Sequence, residues 1–556
     1  MKRLVLLVAT LLICVSLAAQ SSPSSRMIPL SSPLYGQVDT LYRLAGLALP
    51  SASRPWSTQE ARQILSTITE LSEYQELAKK AWQNIEETEL KQISPTFGYL
   101  LSTTVNLEGY AHTNPTQFKT PSDWLYSVDE RKPLFRFTME MDFSDRLYFS
   151  TSVDLGVSSQ RDGDITDSTT TIGAFKLGNV SLLQTAYRYQ KYLLPNIPLS
   201  GSDNMLADWP RESQLSLAGD WWSLTTGRGA LSWGSGQSGN LVLGSHITNH
   251  NHLRASFFAE QAKLELLYLF LPNPTGESNS SSTDPIQRLF LGHRLEAQPT
   301  SWARIAITEN VMYQGSTLTL AYLDPTYIYH NLYDSNHLNA IASLEVDLAI
   351  RPSLSLHGQF ALDQFQLPNE TSTIANALAG LVNLSYSWEK QGFWTASAEA
   401  ATTDPAMYRR EGIDFLVARG LHNNGNPVII DYLGYQYGSD SQVFALSLAY
   451  DNLTNLKLLL STTLHRQGEV DYLTSHNTAD DNDLQPNKKG PAPYGPTVKE
   501  TLVVGIKCTY TPTWEKNISF FSQIDWIGRR TYTKATKSGS DHRSDLQLSL
   551  GCSFTF

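Results

Sequence analysis

The last twelve residues, Asp545 to Phe556, constrain the fold more than any other stretch of this sequence. From Leu546 onward they alternate without a slip. Leu546, Leu548, Leu550, Cys552, Phe554 and Phe556 fall on one face, and Gln547, Ser549, Gly551, Ser553 and Thr555 on the other. Successive side chains of a β-strand point to opposite sides, so this is a strand with one apolar side and one small, polar side. As a soluble edge it would invite aggregation. In a closed transmembrane barrel the same pattern is required, apolar toward lipid and polar toward the lumen. An ordinary sandwich strand is the competing reading, and the rest of the chain decides between them.

The same period of two begins at Phe97 and persists. Tyr99, Leu101, Thr103, Val105 and Leu107 oppose Ser102, Thr104, Asn106 and Glu108. Phe135, Phe137, Met139, Met141 and Phe143 oppose Arg136, Thr138, Glu140 and Asp142. Leu344, Val346, Leu348 and Ile350 oppose Glu345, Asp347 and Arg351. Charge recurs on one face only, which a wet lumen allows and a sandwich core does not. Beyond the N-terminus no run reaches the ~18 apolar residues of a membrane helix, which excludes a helical membrane protein and leaves a barrel open. The 26 Tyr and 12 Trp suit interfacial girdles.

The connections alternate short and long. Short ones fall at Ser144-Asp145, Asp220, Arg351-Pro352, Asn452 to Asn455 and Thr511 to Glu515. Long ones fall at 111–132, 158–170, 191–211, 229–250, 272–286, 314–339, 402–440, 467–498 and 528–543. Short turns on one side and long loops on the other are a barrel's signature, and the count comes to about twenty strands. Such a chain has both termini on the periplasmic side. An aromatic residue closing the final strand resembles the C-terminal signature of outer-membrane barrels, which implies the barrel-assembly machinery and outer-membrane lipid as partners.

Ahead of the barrel the pattern differs. Lys2 and Arg3 precede an apolar Leu4–Leu17 stretch and small residues Ala18 and Ala19, an export signal. Cys14 within it fits a lipidation motif poorly. Cleavage removes two positive charges and takes the formal charge from −11 to −13. The basic balance of a nucleic-acid binder is absent. Three helical patterns follow: Val38, Leu41, Leu44 and Ala45; a helix opened by the capping box at Ser57 to Glu60, with Ala61, Ile64, Leu65 and Ile68 on one face; and a third from about Glu73 to Leu90, with Leu77, Ala81, Trp82 and Ile85 inward. So small a bundle gains by docking on something larger. The expected domains are 1–19, signal peptide; 20–93, a Ser/Pro-rich segment and a periplasmic three-helix bundle; and 94–556, the barrel. Cys508 and Cys552 both read as lipid-facing, with a strand between theirs, so no disulfide is expected.

Several segments are similar to the Wzi-type capsule assembly family of outer-membrane proteins. PLSSPLYGQVDTLYRLAGL and RPWSTQEARQIL resemble its helical lead-in. GRGALSWGSGQSGNLVLGSH (227–246), LGHRLEAQPTSWARIAITENVMYQG (291–315), LSLHGQFALDQF (354–365) and LGYQYGSDSQVFAL (433–446) resemble later family segments, in order. The resemblance implies eighteen strands rather than twenty. It also implies a lectin-like surface role in holding capsular polysaccharide, a bundle closing the periplasmic end, and no catalytic residues. A porin or substrate channel is the alternative. A glycan hydrolase would need two paired carboxylates, and none stands out.

The chemistry-bearing residues follow from this frame. The dibasic pairs Arg131-Lys132, Arg409-Arg410, Lys488-Lys489 and Arg529-Arg530 fall in predicted external loops or at their ends. Guanidinium and ammonium groups there would pair with the carboxylates of an anionic polysaccharide. Trp124, Tyr126, Trp209, Tyr327, Tyr329 and Tyr333 accompany them and offer ring faces on which sugars stack. No cofactor is expected. No metal site is expected either, because His246, His250 and His252 read as solvated loop histidines, and Asp162, Asp164, Asp167, Asp480, Asp481 and Asp483 as loop charge. Gly234 to Gly239 lacks the order of a nucleophile elbow or phosphate loop, and reads as a tight rim or fold-in segment.

Overall fold

A computed structural model describes residues 25–556 except 72, 87–90, 95, 119–122, 127–129, 145, 159–174, 178–179, 183–203, 209, 272–286, 316–321, 323, 325–337, 365–376, 410–412, 421–426 and 471–490. The signal segment, Cys14 and both acidic loop tips lie outside the described residues. The wall is a closed antiparallel barrel of 18 strands. They are β1 Phe97–His112, β2 Phe135–Phe143, β3 Leu147–Ser158, β4 in two pieces (Asn204–Asp208 and Ser213–Ala218), β5 Trp222–Gly229, β6 His250–Phe258, β7 Ala262–Leu271, β8 Gln287–Thr300 and β9 Ala303–Gly315. The second half is β10 Leu338–Arg351, β11 Leu354–Gln364, β12 Ala377–Glu389, β13 Phe393–Thr403, β14 Ser441–Asp451, β15 Leu456–Gln467, β16 Thr497–Tyr510, β17 Ile518–Thr533 and β18 Gly539–Thr555. β18 closes on β1, with Gln547 opposite His112 and Thr555 opposite Thr104.

The count of about twenty is corrected here to eighteen. The small hairpins of 175–177 with 180–182 and 416–420 with 427–432 pair apart from the wall, and β4 counts once although it comes in two pieces. The loop expected at 528–543 is also corrected, because β17 and β18 pair as far as Tyr532 and Gly539. Above the lipid band a strand has no apolar face to keep, so its sequence reads as loop.

Alternation sorts the side chains as expected. Leu101, Leu107, Phe137, Phe143, Leu344, Ile350, Leu546 and Leu550 are exposed on the outside, while Glu108, Glu140, Asp142, Glu345 and Asp347 are buried within. Cys508 and Cys552 are free thiols on β16 and β18, with β17 between them. Except for the 534–538 turn between β17 and β18, which lies at the other end, the short turns lie at one end of the wall.

That end receives the N-terminal segment. α1 is Leu34–Leu44, α2 Thr58–Thr69 and α3 Gln75–Glu86. α2 starts where the capping box predicts, with Ser57 accepting from the Glu60 amide. The helices share an apolar core of Val38, Leu41, Trp56, Leu65, Ile68 and Ala81. Polar anchors fix them to the barrel. The Gln37 amide donates to Asp451 at 3.0 Å and the Arg43 guanidinium to Ser355 at 3.1 Å. Deeper in, Lys263 on β7 meets Glu60 at 2.6 Å, and Arg254 on β6 meets Glu265 at 2.6 Å and donates to the Pro55 carbonyl.

From the opposite end two long loops fold inward. Residues 230–249 and the described parts of 404–440 bury Trp233, Leu241, Leu243, Tyr408, Phe415, Tyr432 and Tyr435 against the inner face of β7 to β14. The two plugs meet inside the barrel, where Ser53 and Arg54 pair antiparallel with Trp233 and Ser232. The Gly234–Gly239 segment is this fold-in turn. Glu399 of β13 accepts from the Gln237 and Ser238 amides, so the protein's own carboxylate occupies the donors a phosphate would need. Gly234 takes a φ of 121°, the left-handed side that favours glycine.

Candidate functional site

Around β17, β18 and β1 the lumen is lined differently, by polar side chains and a folded loop. Loop 113–134 turns inward and lies on that wall. Asp545 of β18 accepts from the Thr113 amide at 3.0 Å and the Asn114 amide at 2.8 Å, and it faces His112 at 2.9 Å. Two residues on, Gln547 accepts from the Leu125 amide and donates to the Asp123 carbonyl, both at 2.8 Å. These are polar inner positions of the terminal strand, and they hold the loop.

The loop brings Trp124, Tyr126, Arg131 and Lys132 together. Tyr126 and Tyr110 flank Glu108. The Tyr110 hydroxyl donates to one carboxylate oxygen, and the Tyr126 hydroxyl lies 2.9 Å from the other. The Lys132 amide also donates to Glu108, and its ammonium reaches Ser553 at 3.2 Å. Phe521 of β17 forms the floor, 5.1 Å from the Tyr126 ring centroid. Gly551 stands across from Phe521 because a Cβ there would collide with the ring.

Arg131 sits at the centre. Its guanidinium lies 4.7 Å from the Tyr110 ring centroid and 5.3 Å from that of Trp124, cation–π distances to two rings that themselves meet edge-on at 6.2 Å. It is 2% exposed, yet its three nitrogens have no hydrogen-bond partner among the described residues. Burial pushes it below its ordinary pKa, against the pull of Tyr110 and Glu108. A buried guanidinium without acceptors is costly, so the arrangement suits an incoming carboxylate, phosphate or hydroxyl group. Arg529 joins from β17, paired with Asp123 and stacked 5.1 Å over Phe118. The Lys507 and Glu130 side chains, 44% and 43% exposed, lie 3.4 Å apart and show the wet side of the cluster.

The other sequence candidates separate from it. Arg530 follows Arg529 on a strand and therefore points outward, where it pairs with Glu500 beside Arg466. Arg409 is buried in the inward loop 404–440. Trp209, Tyr327, Tyr329, Tyr333, Arg410, Lys488 and Lys489 lie outside the described residues. Glu108, Tyr110, His112, Asp545 and Gln547 were not singled out in sequence, although their shared inward parity was a usable signal.

The histidine expectation is corrected. His250 and His252 begin β6 and are buried on its lumen face, while His246 reaches the Tyr432 carbonyl at 2.9 Å. Among the described residues the cluster with metal-compatible spacing is Glu345, Asp347 and His357. His357 is held by Asp347 at 2.8 Å and Glu345 by Arg294 at 3.0 Å, an internally satisfied network.

The model of a protein family described as capsule assembly protein Wzi matches residues 136–515. No match is found among curated proteins. The fold is similar to the solved structure of Wzi from Escherichia coli, described as an outer-membrane protein involved in group 1 capsule assembly and a carbohydrate-binding β-barrel. Identity is 13% and the TM-score 0.53, over 95% of this chain and 99% of that one. OccK7 of Pseudomonas aeruginosa is 9% identical with a TM-score of 0.38, over 83% of this chain and 98% of that one. OccAB4 of Acinetobacter baumannii is 10% identical with a TM-score of 0.38, over the same shares.

Proposed function

This chain belongs to the Wzi capsule assembly family, and from that premise we propose that it is a non-catalytic lectin of the outer membrane that retains surface polysaccharide. The observation that carries this is Arg131, a buried guanidinium against two aromatic rings with no acceptor among the described residues. Trp124 offers a ring face for a sugar, and Lys507 and Arg529, ion-paired with Glu130 and Asp123, supply N–H donors at the margin. The nearby carboxylates support binding over catalysis. Glu108 is tied by Tyr110, Tyr126 and Lys132, and Asp545 by Thr113, Asn114 and His112, so both carboxylates serve to hold the loop. A polymer would make many weak contacts that add along its length.

The orientation belongs to the same reading. Strand β1 starts, and β18 ends, at the short-turn end, which we place in the periplasm together with the helices. The apolar outer band meets lipid, and β18 serves the assembly machinery.

Glycan-array binding of the purified barrel, read at low and high salt, tests the proposal. Acidic polysaccharides should bind and weaken as salt rises. Equal binding by variants lacking Trp124 and Arg131 would sink it.

One observation favours a channel as the second reading. Arg136 and Lys457 keep side chains 33% and 44% exposed on the inner face. A large, steady conductance of the intact barrel in planar bilayers would support this reading against a plugged lectin.

A further inference from the structure

The short-turn end carries a second recess, remote from loop 113–134. It lies between the helices and the wall, with a volume of about 170 Å³, and is bounded by turns 259–261 and 301–302. That is below the roughly 300 Å³ at which drug-sized pockets begin and suits a single ring. Tyr42 and Phe258, both buried, contribute aromatic surface, while Gln63, Thr67 and Gln298 contribute neutral donors and acceptors.

Glu60 gives the recess its chemical bias. One carboxylate oxygen takes Lys263 at 2.6 Å. The other, Oε2, is buried and has no hydrogen-bond partner among the described residues. An unpaired buried acceptor calls for a donor. Burial also pushes this carboxyl above its ordinary range, as expected for an acceptor short of donors. Lys263 and Arg304 line the same space and disfavour a cation, while Glu60 and Glu260 disfavour an anion. A neutral ring bearing hydroxyls satisfies every wall: O–H donors for Glu60, polar edges for Gln63 and Thr67, and an apolar face for the aromatic rings.

We propose that this recess binds one neutral sugar ring, either a monosaccharide or the end unit of a chain, on the short-turn side of the barrel. It uses neither Trp124 nor Arg131 and stands independently of the outer site.

The test is saturation-transfer NMR on the full chain in detergent micelles. The probes are D-glucose, D-galactose, D-mannose and N-acetylglucosamine, each at about 10 mM to reach millimolar affinities. At least one should give a signal that survives Arg131→Ala and falls about tenfold in Thr67→Trp, which fills the recess. Should Thr67→Trp fail to fold, Gln63→Ala should weaken the same signal at unchanged melting temperature. Silence from all four sugars overturns the proposal. So does a signal lost in Arg131→Ala but kept in Thr67→Trp or Gln63→Ala. Neither result bears on the outer site, which is scored with polymer.

Discussion

Arg131 shows what the residue scale adds. Sequence marks it as half of a dibasic pair, whereas the structure sets it against Tyr110 and Trp124 with no acceptor among the described residues. Arg131→Met keeps bulk and removes the charge. It should lower affinity for an acidic polysaccharide by about 1.5–3 kcal/mol, the worth of a charged hydrogen bond, with little change in melting temperature. Titration calorimetry on the two proteins checks this. Asp440 gives a second prediction. Its carboxylate accepts from the Val470 amide at 3.0 Å and the Tyr494 amide at 2.5 Å, pinning both described ends of one long loop. Burial nevertheless pushes it up to about 6. The folded value then lies above the ~3.9 of an unfolded Asp, so the folded chain holds this proton longer. The stability this group contributes is therefore fullest below about pH 4, falls as pH rises through about 4 to 6, and levels off above, while the two amide bonds offset part of the cost of ionising it. The melting temperature of the wild type relative to Asp440→Asn should accordingly drop across that window and hold steady above it.

At the scale of elements, the wall was legible and the loops were not. Strands exposed to lipid carry an obligatory period of two, so Phe135–Phe143, Leu354–Gln364 and β18 read directly from sequence. Once a strand rises above the lipid its outer face loses that obligation. Gly528, Arg529 and Arg530 then read as loop although β17 continues through them, and His250 and His252 read as solvated although β6 buries them. The inward loops were hidden for another reason: their apolar residues pack against strands far away in sequence. The same holds for the site, whose basic and aromatic members were visible but whose Glu108 and Asp545 anchors were not. Gly551 is an element-scale test, since its missing Cβ makes room for Phe521. Gly551→Ala should cost about 1–3 kcal/mol by overpacking and disturb Tyr126, seen as a lower melting temperature together with weaker polymer binding. Lys263→Met leaves Glu60 without its buried partner, while Glu265 keeps Arg254, and should cost about 3–5 kcal/mol, measured as early release of the N-terminal segment to protease.

For the whole molecule, the decisive feature is a lumen filled from both ends on one side and wet on the other. The N-terminal segment and loop 230–249 join across it through Ser53, Arg54, Ser232 and Trp233. Excising residues 235–239 should loosen this junction and raise planar-bilayer conductance well above that of the intact barrel, while an unchanged trace would show that the wet side alone sets the current. The seam between β18 and β1 has a different consequence. Loop 113–134 is moored to Asp545, a partner 432 residues further along the chain at the Thr113 amide. The proposed recognition surface is thus assembled by the same event that shuts the cylinder. A barrel stalled one staple short of closure has no such surface at all, and a polysaccharide column would sort finished molecules from unfinished ones.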